Sequence, residues 1–163
     1  MSETRPLYTP EERRRRDETP WTLVQGILAP VQFLVFIVST VLVIRYLWTG
    51  EGEGLATGSV VLKTLLLYTI MVTGCIWEKV VFGKYLFARA FFWEDVFSML
   101  VLALHTAYLI ALFGGLLSVK EQMVLALAAY LAYVINATQF LLKLRAARLQ
   151  QEREAKSMAG AAA

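Results

Sequence analysis

Three carboxylates, Glu78, Glu94 and Asp95, sit inside or at the edge of long apolar stretches. Paired carboxyl groups can do acid and base work, one giving a proton while the other takes one, when their surroundings separate their proton affinities. An ionisable side chain at membrane depth is costly and marks function by default. Glu78 closes one apolar stretch while Glu94 and Asp95 open the next, so an antiparallel hairpin sets all three at one depth. Successive helix residues diverge by about 100°, which predicts that Glu94 and Asp95 do not both point inward. Glu94 shares its face with Ser98 and His105 and is expected to be the inward member, with Glu78 as cross-helix partner and Asp95 in reserve. A plainer reading stands beside this: Glu94 and Asp95 offset a helix dipole, and Glu78 pairs with Lys79, Lys84 or Arg89.

Other polar groups in the apolar stretches are expected at the same level. Gln25 and Gln32 share one face of the first stretch, Thr69 and Thr73 precede Glu78 in the second, and Asn136 and Gln139 lie near the end of the fourth. The opposite half is expected to hold little of the kind. Trp77 and Trp93 each precede a glutamate (WEKV, WEDV) and either anchor the membrane interface or wall a flat apolar ligand. His105, the one histidine, is either a hydrogen-bonded helix contact or an axial ligand to a tetrapyrrole metal. The single Cys75 allows neither an internal disulfide nor a thiolate cluster. Glycine-rich phosphate loops, zinc spacings and nucleophile elbows do not occur, and the first stretch has no carboxylate to carry a transported substrate.

The elements that must position these residues follow from where charge is avoided. Of 163 residues 58% are apolar and 18% charged, against roughly 25% charged in a soluble domain. The 16 Lys and Arg and 13 Asp and Glu avoid residues 21–48, 60–82, 91–113 and 122–142, which hold only Arg45, Lys63, Glu78, Lys79, Glu94 and Asp95. Each window reaches the roughly 20 residues needed to cross hydrocarbon, and none shows the charged stripe of a soluble bundle helix. The expectation is an all-α polytopic membrane protein, one domain, with an arm over 1–20, four transmembrane helices in an antiparallel bundle and a tail over 143–163. Freely soluble enzymes, disordered tails and disulfide scaffolds are excluded.

Short connections, EGEGLATGS, GKYLFARA and GGLLSVKE, make consecutive helices antiparallel neighbours. Basic residues crowd the arm (Arg5, Arg13, Arg14, Arg15, Arg16), the second connection (Lys79, Lys84, Arg89) and the tail (Lys143, Arg145, Arg148, Arg153, Lys156), against Arg45, Lys63 and Lys120 opposite. Both termini are therefore expected in the cytoplasm. The arm's RRRR is cancelled by Glu11, Glu12, Asp17 and Glu18, which favours a topology or lipid-headgroup role over a nucleic-acid partner.

The strings RPLYTPEERRRRDETPWTLVQGILAPVQF, VLKTLLLYTIMVTGCIWEKVVFGKYLFARAFFWEDVFS, LHTAYL and YVINATQFLLKLRAARLQ closely resemble the vinyl (bacterio)chlorophyllide hydratase family of bacteriochlorophyll biosynthesis. The similarity runs over roughly residues 5 to 150 in order, diverging in the EGEG loop and the tail. It implies a hydro-lyase that adds water across the ring-A vinyl group of chlorophyllide a or 3-vinyl bacteriochlorophyllide a, giving a 1-hydroxyethyl group. It also implies a multi-pass protein of a bacterial cytoplasmic or photosynthetic intracytoplasmic membrane. No redox cofactor is implied, and the magnesium belongs to the substrate.

No catalytic residues carry over from the family, so roles rest on this chain. Hydrating a vinyl group needs a proton on its terminal carbon, then water at the carbon attached to the macrocycle. A desolvated carboxyl can supply the acid and a second carboxyl the base, which assigns catalysis to Glu78, Glu94 and Asp95. Substrate contacts are expected from Gln25, Gln32, Trp77, Trp93, His105, Asn136 and Gln139, with Lys84, Arg89 or Lys79 meeting the propionate. The chain has no metal site of its own, and His105 is the axial candidate for the substrate's magnesium. A non-catalytic pigment-binding or assembly protein is the competing class, and a small proton-coupled transporter a third. A homo-oligomer and contact with other pigment-biosynthesis enzymes stay open.

Overall fold

A computed structural model describes residues 5–162. Five helices follow in order: α1 (Pro10–Glu18), α2 (Pro20–Thr49), α3 (Glu53–Phe82), α4 (Phe92–Phe113) and α5 (Val119–Ala161), with no strand among the described residues. Four of them, α2 to α5, are long and apolar enough to cross a membrane. The protein is a polytopic helical membrane bundle. Large apolar side chains such as Leu34, Val38, Val41 and Leu131 point outward, as lipid requires.

The helix ends are written into the chain. Thr9 and Glu12 form a reciprocal capping box, Thr9 N donating to Glu12 Oε2 at 2.8 Å and Glu12 N to Thr9 Oγ1 at 3.2 Å, with Pro10 in the first turn. This starts α1, a helix inside the arm for which charge counting named no secondary structure. Ser118 and Glu121 repeat the box at the start of α5. Gly50 and Gly83 close α2 and α3 with φ of 72° and 82°, the left-handed conformation that glycine adopts without strain.

Packing is most extensive between α2 and α3 and between α4 and α5, while α3 and α4 meet far less. The short second connection thus does not lay its two helices flush. Its own Ala88 and Phe91 are buried and fill the space between the helix ends. Alanines 126, 129 and 132 line the inner face of α5, where small residues let helices approach.

One core cluster, around Val43, Val60, Tyr108, Met123 and Tyr130, lies away from the arm. Another joins Tyr8, Val81, Phe91 and Ala147, so the arm, the α3–α4 connection and the extension of α5 share one end of the bundle. Tyr8 stacks on Phe82 at 5.7 Å and 11°, with the Arg16 guanidinium 4.7 Å above its ring. Burial pushes the Tyr8 phenol above its ordinary pKa, and Arg16 pulls against that shift.

Candidate functional site

At the arm end, the connection between α3 and α4 is held by carboxylates from both helices. Glu78 Oε1 accepts from the Ala88 N–H at 2.6 Å, and Asp95 Oδ2 accepts from the Phe87 N–H at 2.8 Å. Glu78 and Asp95 are both buried, and their carboxyl groups lie within hydrogen-bonding reach of each other. Phe87 sits at φ 59°, a left-handed conformation that costs a bulky residue strain. The Asp95 bond helps to hold it there.

Glu94 is engaged elsewhere. Its Oε2 takes a 2.6 Å ion pair from Lys143 Nζ, which also donates to the Ala90 carbonyl at 2.7 Å. Asn136 Nδ2 donates to the Glu94 carbonyl at 2.9 Å and toward Gln139 Oε1 at 3.3 Å, while Ser98 donates to Asn136 Oδ1 at 3.0 Å. Asn136 therefore clamps α5 to α4, with Gln139 of the same helix beside it.

Two geometric expectations are corrected here. Glu94 and Asp95 are both buried, at 7% and 6% exposure, because the first turn of α4 is covered on one side by the connection and on the other by α5. The partner facing Glu78 is Asp95, and Glu94 belongs with Lys143. Nor does Glu78 pair with a basic residue of the connection: Lys79 turns back to the Gly83 carbonyl at 2.9 Å, and Lys84 and Arg89 are exposed.

Trp77 is half-buried, donating from Nε1 to Thr22 Oγ1 at 2.8 Å and packing edge-on against Phe82 and Phe91. Gln25 donates to Thr73 at 2.7 Å, tying α2 to α3, and Gln32 is buried deeper in α2. Trp93 stands 71% exposed and continues an outward aromatic row, with Phe92 5.3 Å from it and Phe87 5.8 Å from Phe92. Phe87 and Phe92 were not singled out by sequence. Their signal was the aromatic density of the stretch around Trp93, which periodicity does not assign to a surface. Behind the connection, Leu7, Glu12, Phe82, Lys84, Ala88, Arg89 and Ala90 line a cavity of about 170 Å³, room for a carboxylate arm and not for a macrocycle.

The opposite half of the bundle is not poor in polar groups, as had been expected. Ser39 lies 2.7 Å from Ser59 and 2.5 Å from the Tyr130 hydroxyl. Lys63, counted by sequence toward the far-side charges, is wholly buried within α3, its Nζ 3.6 Å from the Tyr133 ring centroid. His105 is 1% exposed, with Nδ1 2.8 Å from the Val101 carbonyl. The histidine lies inside the bundle, and a macrocycle reaches it only if helices part.

Comparison with known proteins matches residues 8–146 to the 2-vinyl bacteriochlorophyllide hydratase family. A 2-vinyl bacteriochlorophyllide hydratase of Rhodobacter capsulatus is 72% identical over 148 residues, covering 91% of this chain and 86% of the relative. One of Cereibacter sphaeroides is 70% identical over 148 residues, covering 91% and 92%. No solved structure matches.

Proposed function

The chain belongs to the 2-vinyl bacteriochlorophyllide hydratase family, and from that premise we propose that it hydrates the ring-A vinyl group of chlorophyllide a or 3-vinyl bacteriochlorophyllide a by carboxyl acid and base catalysis. The observation that carries this reading is the buried Glu78 and Asp95 pair, two carboxyl groups within reach of one proton. One carboxyl gives its proton to the terminal vinyl carbon, leaving a cation on the adjacent carbon that the macrocycle delocalises. Water bonds there through oxygen, and the other carboxylate takes the proton that the water loses. Atoms balance as substrate plus water, and no electrons are exchanged, so the step calls for no redox cofactor.

The exposed row of Phe87, Phe92 and Trp93 supports a docking face for the flat ring at the membrane interface, since aromatic faces stack on extended π systems. The cavity beside Lys84 and Arg89 suits the propionate, which a cation would hold. Substrate entry is then from the cytoplasmic leaflet of the bacterial inner membrane. Purified protein mixed with the vinyl pigment tests the reading through absorption and product mass. A blue shift with the gain of one water supports it, and unchanged pigment that only co-purifies overturns it.

A further inference from the structure

Lys63 of α3 and His105 of α4 are the least exposed basic side chains among the described residues, at 0% and 1%. Neither Lys63 Nζ nor His105 Nε2 has a hydrogen-bond partner among the described residues. The Val101 carbonyl can only accept, so the His105 Nδ1 beside it carries the proton, and Nε2 of the neutral ring presents a lone pair. The two heads meet the same turn of α5, Lys63 Nζ lying over the Tyr133 ring and the imidazole beside Tyr130, three residues earlier. Tyr130, whose ring is 5.8 Å from the imidazole, spends its hydroxyl on Ser39. The Tyr133 face offers Lys63 a cation–π contact but no acceptor atom.

An ammonium in a bundle core needs acceptors, and an imidazole lone pair needs a donor. An anion would suit Lys63 and be repelled by the lone pair. A magnesium ion would suit the lone pair and be repelled by Lys63. Water accepts from one and donates to the other. We propose that Lys63 and His105 form a water-binding site inside the bundle, serving the hydration reaction. The inner stripe of α4 that carries His105 runs back through Ser98 to Glu94, the neighbour of Asp95, so one buried helix connects this site with the carboxyl pair. Lys63 and His105 are positioning residues for water. The role assigned to that water rests on the hydratase reading, whereas its presence does not.

His105 is the only histidine, so protein labelled with ¹⁵N-histidine and reconstituted in lipid gives one imidazole signal by solid-state NMR. Without pigment, the expected spectrum shows a ring protonated at Nδ1 alone, with magnetisation passing to it from water. Lys63→Met is expected to abolish that transfer. A ring that receives none in the unaltered protein is dry and overturns the site, whatever the activity. So does a shift of Nε2 to a metal-bound position when pigment is added. In turnover, Lys63→Met is expected to lower kcat with KM for pigment unchanged. An unchanged kcat overturns the link to hydration.

Discussion

Glu78 and Asp95 hold successive amides of one loop: Glu78 from the end of α3 takes the Ala88 N–H, and Asp95 from the start of α4 takes the Phe87 N–H. Both carboxylates are thereby fixed against the connection they flank, and against each other. Amide donors orient a carboxylate without neutralising it, which suits groups that must pass a proton and stay in place.

The first prediction orders the acids. Glu78→Gln and Asp95→Asn should each cost about a hundredfold to ten-thousandfold in hydration rate, the usual contribution of a general acid or base, with pigment binding retained. Glu94→Gln should cost far less in rate. Single-turnover assays on detergent-purified variants check this. An inactive Glu94→Gln beside an active Asp95→Asn would restore Glu94 as the partner of Glu78 and defeat the pairing.

Much of this arrangement could be read from the chain, and the failures have physical causes. Charge avoidance located the spans, because lipid tolerates few charges wherever they fall. The level shared by Glu78, Glu94 and Asp95 followed from the hairpin. The angular argument that parted Glu94 from Asp95 was sound for a bare helix and failed because the connection folds back over it. Lys63 was misread for a similar reason: counting basic residues near span ends assigns each to the nearest loop, and nothing local to Lys63 shows that Tyr133, far along the chain, supplies a ring to receive it. The helix in the arm did carry a signal, Thr9 with Glu12 three residues later, that net charge obscured.

The Glu94 and Lys143 pair gives the second prediction. Lys143→Met strands a buried carboxylate and should destabilise the bundle by about 1–3 kcal/mol, the cost of leaving one partner unsatisfied. Adding Glu94→Gln should recover part of that loss, since residues in direct contact couple. Thermal unfolding in detergent of the two single variants and the double variant measures the coupling. Strictly additive effects would show that the ion pair contributes nothing to the fold.

Tyr8 supplies the third. It fills a buried slot against Phe82 and Phe91, so Tyr8→Ala leaves a void where aromatic truncations cost about 3–5 kcal/mol in a core. Local undocking of α1 from the bundle end should come before global unfolding. Limited proteolysis should then cut within the RRRR stretch faster than in the unaltered protein, while the membrane helices resist. Equal cleavage rates would mean that the stack does not hold the arm.

The exposed aromatic row gives the fourth prediction. Trp93→Ala and Phe92→Ala remove outward-facing surface that the fold does not bury, so stability should change little. Pigment affinity should fall, by about 0.5–1.5 kcal/mol per stacked ring beyond area alone. KM would rise while kcat holds, since the carboxyl pair is untouched. Steady-state kinetics over a range of pigment concentrations separates the two constants. A fall in kcat at constant KM would place the macrocycle elsewhere.

Sidedness is the fifth. The arm's arginines, the connection with Lys84 and Arg89, and the basic extension of α5 all gather at one end of the bundle, and Lys63 no longer counts for the other end because it is buried within α3. Arg45 and Lys120 are left there, so the imbalance that orients short-looped membrane proteins is stronger in the folded chain than in the bare count. With Cys75 replaced by alanine, Lys84→Cys and Glu51→Cys place single thiols at exposed positions on opposite ends. In sealed vesicles with the cytoplasmic face outward, a membrane-impermeant maleimide should label Lys84→Cys at once and Glu51→Cys only after the vesicles are opened. The reverse pattern would put the carboxyl pair in the outer leaflet, and substrate entry from the cytoplasmic side would fall with it.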